Sequence, residues 1–245
     1  MSQRLAKLAS SLQHKKFRTK EQLFVAEGEK LVLDLLESFS VKYILCTKKW
    51  AQEHPLLSTT VIDNVLLKKA SSLKTPSSVI GIFDIPKETP FNKDELPALV
   101  LDTLQDPGNL GTIIRTASWF GFQHIVCSPE TVDIYNPKVV QASMGALAKV
   151  KVHYLPLAIF FKDLRAEKIT VYGTYLEGKS IYKTAFNKEC VVVIGNEGQG
   201  ISPELKQYID TPIHIPAFSS TPPESLNASV STAIVCSEIA RTIQS

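Results

Sequence analysis

Leu5, Leu8 and Leu12 recur at the i, i+3, i+7 spacing of one helical face, which predicts an amphipathic helix at the start of the chain. From Phe24 to Ile85 short patterns alternate: helix over 30–37, strand over 41–46, strand over 59–62, helix over 63–70 with Asp63 placed to cap it, and strand over 79–85. Pro86, Pro90 and Pro97, with charged residues between them, then break the alternation, because proline withholds a backbone donor and charged side chains gain nothing from burial. The pattern therefore predicts a small α/β domain over 1–90 and a second domain over 97–245. In the second, apolar segments at 98–102, 124–127, 150–154, 169–173, 191–195 and 213–215 read as strands rich in Val and Ile, most of them separated by helical stretches. That is the signature of a mainly parallel sheet covered on both faces. Residues 226–243, with Val230, Ile234, Ile239 and Ile243, predict a long closing helix.

Ligands of open parallel sheets sit beyond the carboxyl ends of the strands, so the residues following each strand are where chemistry is expected. Three such places stand out. The first runs from Asp102 to Ala117, with the turn formers Asp106, Pro107, Gly108 and Asn109, Gly111 where a helix begins, and Arg115 as a cation among Ile113, Ile114, Ala117 and Trp119. A solvated helix-surface Arg is one reading; a planar fork of donors for an anion or phosphate is the other. The second is the glycine-rich turn Gly195-Asn196-Glu197-Gly198-Gln199-Gly200 after a strand, followed by Ser202 as a helix cap and Pro203 at the first helical position. No Lys-Ser/Thr follows, and the glycine order is not that of the dinucleotide fingerprint, so neither nucleotide-binding turn is present. Glu197 would repel a pyrophosphate and suits a ligand carrying hydroxyls, amines or positive charge. The third runs from Ile213 to Ser231, where Glu224, Ser225 and Asn227 crowd before the last helix and Ser225 or Asn227 could cap it.

Composition narrows the class. At 245 residues, 44% hydrophobic and 21% charged, the chain can bury a real core, and no apolar run reaches the roughly 18 residues of a membrane helix. The cysteines at 46, 127, 190 and 236 form no C-x-x-C pair, which points to reduced thiols in a cytosol rather than to a zinc or redox site; no metal is expected. The formal net charge is only +3, but residues 1–20 hold Arg4, Lys7, Lys15, Lys16, Arg18 and Lys20 with no Asp or Glu. Such a segment could neutralise nucleic-acid phosphates, form a solvated helix face, or serve as a transit peptide.

Taken together the three clusters resemble the motifs of the SpoU (TrmH-like) family of RNA ribose 2′-O-methyltransferases, within the SPOUT class. Asp106-Pro-Gly-Asn109 with Gly111 and Arg115-Thr-Ala117 matches the first motif, Ile194 to Ser202 the second, and Ile215-Pro216 with Glu224-Ser-Leu-Asn227 the third. Asn136 to Gly145 is also typical of the family, and Phe24 to Leu31 and Leu73 to Pro76 resemble its N-terminal substrate-binding domain, which has a ribosomal-protein-like α/β fold. The resemblance implies S-adenosyl-L-methionine as methyl donor, a deep trefoil knot, a cytoplasmic homodimer with composite active sites, and structured RNA as substrate. By family habit the separate N-terminal domain favours ribosomal over transfer RNA; a non-catalytic RNA-binding protein on the same fold is the competing class. It implies Asn109, Arg115, Glu197, Ser225 and Asn227 as active-site residues. Gly195, Asn196, Gly198, Gly200, Ile215, Pro216, Ser225, Leu226 and Asn227 would meet the cofactor. In the family the Arg matching Arg115 is described as a base; stabilisation of a developing alkoxide by a guanidinium that stays protonated is the physical alternative. One departure is visible: the segment after Ile215-Pro216, Ala217 to Pro223, lacks the glycine usual there.

Overall fold

The computed structural model describes residues 2–244. In chain order the elements are α1 (Ser2–Ser11), α2 (Lys15–Glu21), β1 (Leu23–Glu27), α3 (Glu29–Leu36), β2 (Val41–Cys46), α4 (Lys48–Glu53), β3 (Thr60–Val61), α5 (Asn64–Ala70) and β4 (Val79–Asp84). They continue with β5 (Ala98–Leu101), α6 (Pro107–Trp119), β6 (His124–Cys127), α7 (Pro137–Ser143), β7 (Lys151–Tyr154), α8 (Leu157–Ala166), β8 (Thr170–Ser180), β9 (Cys190–Ile194), β10 (Thr211–His214) and α9 (Ala228–Gln244). The chain divides into two compact units, Met1–Lys87 with Asp133–Ala148, and Glu88–Val132 with Lys149–Ser245. The segment 133–148, which the sequence pattern placed in the second domain, thus packs with the first: Tyr135 lies against Phe24 with ring centroids 4.8 Å apart.

In the first unit a four-stranded sheet has the order β1-β4-β2-β3, with β4 antiparallel to both neighbours and β2 parallel to β3. The predicted leucine stripe is real, and it is core. Leu5, Ala6, Ala9 and Leu12 pack with Val25, Leu45, Leu67 and Ile82. Asp63 caps α5 as expected, its Oδ1 accepting from Leu66 N at 2.8 Å. The basic segment is corrected at Arg18, which is buried. Its guanidinium donates to Asp133 Oδ2 from Nε (2.9 Å) and Nη2 (2.6 Å), and to the carbonyls of Leu12 and Gln13 from Nη1 (both 2.9 Å). All the donating nitrogens are used within the fold, so this cation is structural and faces no external phosphate.

The second unit is built on a six-stranded sheet of order β10-β8-β9-β5-β6-β7 in which every pair is parallel. β5, β6 and β9 are buried along their whole length, which is why β5 and β9 are unbroken apolar runs rather than alternating ones and β6 departs from that only at His124, whose ring is hydrogen-bonded to His153 and Glu95. From β5 the chain winds outward through β6 to β7, then crosses to the other side of β5, so the boundary between β5 and β9 is the topological switch point, the place where open parallel sheets take their ligands. Two local expectations are corrected. The first helix of this unit begins at Pro107, capped by Asp106 Oδ1 on Asn109 N (2.8 Å), rather than near Gly111. The segment after Ser202 is a 3₁₀ run over Pro203–Tyr208 that Ser202 does not cap by its side chain; instead Ser202 N is drawn to Asp102 Oδ2 at 2.7 Å. All four cysteines are buried and free, and no helix among the described residues is long and apolar enough to cross a membrane.

Candidate active site

Three of the residues singled out in the sequence meet at the switch point, joined by a one-way chain of hydrogen bonds. Asn109, in the first turn of α6 after β5, donates from Nδ2 to Glu197 Oε1 (3.0 Å), in the turn after β9. Asn227, before α9, donates from Nδ2 to Asn109 Oδ1 (3.0 Å). Asn227 Oδ1 in turn accepts from Ser229 N (2.9 Å) and Ser229 Oγ (2.7 Å), so the residue caps α9 and closes the chain. An ionised carboxylate only accepts, which fixes the amide orientation of Asn109 and, through it, that of Asn227. Glu197 also receives the backbone N–H groups of Gln105 (3.4 Å) and Asp106 (3.2 Å). Burial pushes its carboxyl up, but the hydrogen bonds from Asn109 and from backbone N–H groups outweigh burial and hold it below the ordinary carboxylate range. A polarised chain ending on a charged acceptor is a rigid device, since each member orders the next.

The glycine turn is held by its own backbone. Asn196 and Gly200 exchange two N–H to O bonds, both 2.9 Å. A Cβ on Gly195 would fall on the backbone of Gly200 and Ile201, so only glycine allows the chain to double back here. Asn196 uses its side chain inside the turn: Oδ1 accepts from Gly198 N (3.0 Å) and Gln199 N (3.1 Å), and Nδ2 donates to Thr103 O (2.8 Å). Outside, the turn is bare. A Cβ on Gly200 would meet nothing within 4 Å and one on Gly198 only Asn196 Oδ1 at 3.8 Å, so a ligand can come against the main chain. Ile215 and Pro216, half-buried beyond β10, and the exposed Leu226 offer apolar surface at the same end of the sheet.

Arg115 does not join the chain of amides. It lies six residues beyond Asn109 on α6, about 9 Å along the axis, and its exposed side chain makes no hydrogen bond or ion pair among the described residues. Ser225 is likewise exposed and makes none, although it is two residues from Asn227. Two supporting residues, Asp102 and Thr103, lie inside the first cluster without a role that the sequence assigns. Asp102, buried at the end of β5, accepts from Ser202 N and from Thr103 Oγ1 (2.7 Å each), and Thr103 takes a left-handed conformation (φ 57°) that presents its carbonyl to Asn196. An acidic residue directly after a buried apolar strand was the available signal.

Comparison with known proteins fits this geometry. The SpoU rRNA Methylase family matches residues 97–237, and an MRM3-like substrate binding domain matches residues 5–81. The chain is 31% identical over 229 residues to the 23S rRNA (guanosine(2553)-2′-O)-methyltransferase RlmP of Bacillus subtilis, covering 91% of each. Among solved structures it is similar to an RNA methyltransferase of the TrmH family from Porphyromonas gingivalis, with TM-score 0.85, 37% identity and 96% of both chains covered. It is also similar to an AdoMet-bound rRNA methyltransferase from Sinorhizobium meliloti, with TM-score 0.84, 28% identity, and 98% and 95% of the two chains covered.

Proposed function

The chain belongs to the SpoU rRNA methylase family, and from that premise we propose that it methylates a ribose 2′-hydroxyl of ribosomal RNA, using S-adenosyl-L-methionine, at the site built on Asn109, Glu197 and Asn227. The observation that carries this reading is the hydrogen-bonded run from Ser229 through Asn227 and Asn109 to Glu197, which ties three distant stretches of chain together at the switch point. The cofactor supplies a methyl group activated by its sulfonium charge. The residues present suit it: the open outer face of Gly198 and Gly200 admits a ligand to the main chain, and Ile215, Pro216 and Leu226 provide apolar surface for a base. In our reading Gly195 and Asn196 act indirectly, by folding the turn, while Ser225 and Asn227 border the same space.

The protein's task is to align the ribose oxygen with the methyl carbon and to manage one proton. For the ribose oxygen to accept a methyl group its hydroxyl proton would have to pass to solvent water, and the oxygen would carry negative charge as it did so. Arg115, exposed and without a partner among the described residues, is placed to bind the substrate phosphate and the oxygen as it gains charge; a guanidinium stays protonated, so we assign it electrostatic stabilisation rather than base chemistry. Asn109 and Glu197 hold the start of α6 in place and thereby set where Arg115 projects. The homodimer, the trefoil knot and a cytoplasmic location belong to the same proposal, supported by family membership alone.

Transfer of tritiated methyl from the donor to deproteinised ribosomal RNA, followed by alkaline hydrolysis, tests the assignment. Label in an alkali-resistant dinucleotide is expected, because a methylated 2′-oxygen cannot attack the adjacent phosphate. Label only in mononucleotides, or none, would refute it.

A further inference from the structure

Thr103, two residues beyond β5, has φ 57°. Glycine aside, the described residues with positive φ are Gln22, Thr103, Met144 and Lys168, and of these only Thr103 is β-branched. A branched Cβ makes the left-handed conformation costly, so the contacts around the residue must impose it. Strain of this kind collects at functional sites. In the sheet, β5 lies between β6 and β9. A residue in an extended strand turns its N–H and C=O to the same neighbour; the left-handed turn at Thr103 sends them to opposite ones. Its N–H donates to Ser128 Oγ (3.0 Å), directly after β6, and its carbonyl accepts from Asn196 Nδ2 (2.8 Å), two residues beyond β9. Ser128 Oγ and Thr131 Oγ1, both buried, are 3.2 Å apart, and Thr131 Oγ1 donates to Leu101 O (3.3 Å). The N–H of Thr103 therefore starts a run of hydroxyls that returns to the end of its own strand.

The side chain adds a second grip. Thr103 Oγ1 donates to Asp102 Oδ1 (2.7 Å), which leaves Asp102 Oδ2 to accept from Ser202 N (2.7 Å). Asp102 is buried, and a buried carboxyl group destabilises the fold unless its oxygens are hydrogen-bonded. One residue thus holds the glycine turn at both ends, through its carbonyl at Asn196 and by way of Asp102 at Ser202. Between these points Asn196 Oδ1 gathers the N–H groups of Gly198 and Gln199, and the outer face of Gly198 and Gly200 stands open. The bond from Asn109 to Glu197 grips the middle of the same turn from α6 and involves neither Asp102 nor Thr103.

We infer that Thr103 is a positioning residue for the methyl donor. Its left-handed peptide and its hydroxyl together hold the turn over 195–202 in the form that receives S-adenosylmethionine, so little ordering is left to be done when the donor binds. The inference rests on the methyltransferase reading above and adds to it a residue that acts on the donor through Asn196 and Asp102.

The test compares Thr103→Val, which keeps the branched shape and removes the hydroxyl, with Thr103→Ser, which keeps the hydroxyl. Three quantities are read on the full chain: amide hydrogen exchange at Gly198 and Gln199 without donor, calorimetric affinity for S-adenosylmethionine, and steady-state methyl transfer to a ribosomal RNA transcript. Thr103→Val should exchange faster at both amides and bind the donor about fivefold more weakly, the effect of one lost hydrogen bond. The loss should appear in KM for the donor, with kcat and KM for RNA unchanged. Thr103→Ser should match wild type in all three. Should Thr103→Val not fold, Thr103→Gly adopts the same φ without strain, lacks the hydroxyl, and should show the same loss of donor affinity. Variants without the hydroxyl that keep wild-type donor affinity would overturn the inference, even with a lowered unfolding midpoint. Equal losses for donor and RNA, or a Thr103→Ser protein as impaired as Thr103→Val, would overturn it too. Each of these leaves methyl transfer by the wild type standing, whereas wild-type protein that neither binds the donor nor methylates the transcript would sink the enzymatic reading itself.

Discussion

Replacing Gly195 by alanine puts one methyl group where the returning backbone of Gly200 and Ile201 already lies. Neither atom belongs to a side chain that could turn away, so the turn itself must open. Opening breaks the two 2.9 Å bonds between Asn196 and Gly200. At about 0.5–1.5 kcal/mol each, with about 1–3 kcal/mol for overpacking, the loss comes to about 2–6 kcal/mol of stability. The turn also carries Glu197, so the acceptor that orders Asn109 is displaced along with it. Urea denaturation should therefore show a lower midpoint for Gly195→Ala, and calorimetric titration should show S-adenosylmethionine affinity reduced at least tenfold. Gly198→Ala is the control, since its added methyl has only Asn196 Oδ1 near it, at 3.8 Å, and its stability should match wild type. A Gly195→Ala protein with wild-type midpoint and wild-type cofactor affinity would refute the reasoning.

Other predictions follow from groups remote from the turn. His124 Nδ1 and His153 Nε2 are 2.8 Å apart, His124 Nε2 is 2.6 Å from Glu95 Oε2, and Lys151 Nζ donates to the same oxygen (2.7 Å). Burial lowers both histidines, and His153 to about 4, whereas Glu95 is held near 2 by its hydrogen bonds to Lys151 and His124. An unfolded histidine takes up its proton near pH 6.5, so stability is intact above that value and falls as pH drops toward 4. For His153 the loss is about 1–2 kcal/mol by pH 5. The contribution of Glu95 is present above about pH 4.5 and is lost only as pH falls on toward 2. Urea midpoints at pH 7.5 and pH 5 should separate wild type from His153→Gln, which should lose less; equal losses would contradict this. Arg18→Ala should destabilise by about 3–5 kcal/mol, because Asp133 and two carbonyls lose their donor. If Arg18 were instead an RNA ligand, the variant would keep its unfolding midpoint and lose affinity for RNA.

How far the sequence carried the fold depended on the range of the forces involved. β5 and β9 were legible because strands buried on both faces are apolar throughout, β6 because only its first residue, His124, breaks that pattern, and Asp63 was legible as a cap because capping is local. The sequence pattern ends β8 at Gly173, but the strand runs to Ser180: its last two residues, Lys179 and Ser180, pair with Ile213 and His214 of the edge strand β10 after a register shift that passes over residues 174–178. The cap expected of Ser202 does not form, because the Leu205 N–H goes to the Ser202 carbonyl in a 3₁₀ turn; what holds Ser202 is Asp102, 100 residues away, through the Ser202 backbone N–H. In the site, placement at strand ends marked Asn109, Glu197 and Asn227, but not that they bind one another, because side-chain pairs 88 and 118 residues apart leave no periodic trace. The charge of Arg18 was visible and its burial was not, for the same reason.

The central claim, that an exposed Arg115, without a partner among the described residues and carried on the same helix as Asn109, stabilises charge as a ribose oxygen takes up a methyl group, is tested most directly by one paired measurement on Arg115→Ala. Single-turnover methyl transfer to ribosomal RNA and calorimetric affinity for S-adenosylmethionine are determined on the same preparation. The account predicts a rate about 10²–10³-fold lower with cofactor affinity unchanged, as for loss of one group acting at the developing oxyanion. A rate that is unaffected, or one that falls only in proportion to lost cofactor binding, would contradict it.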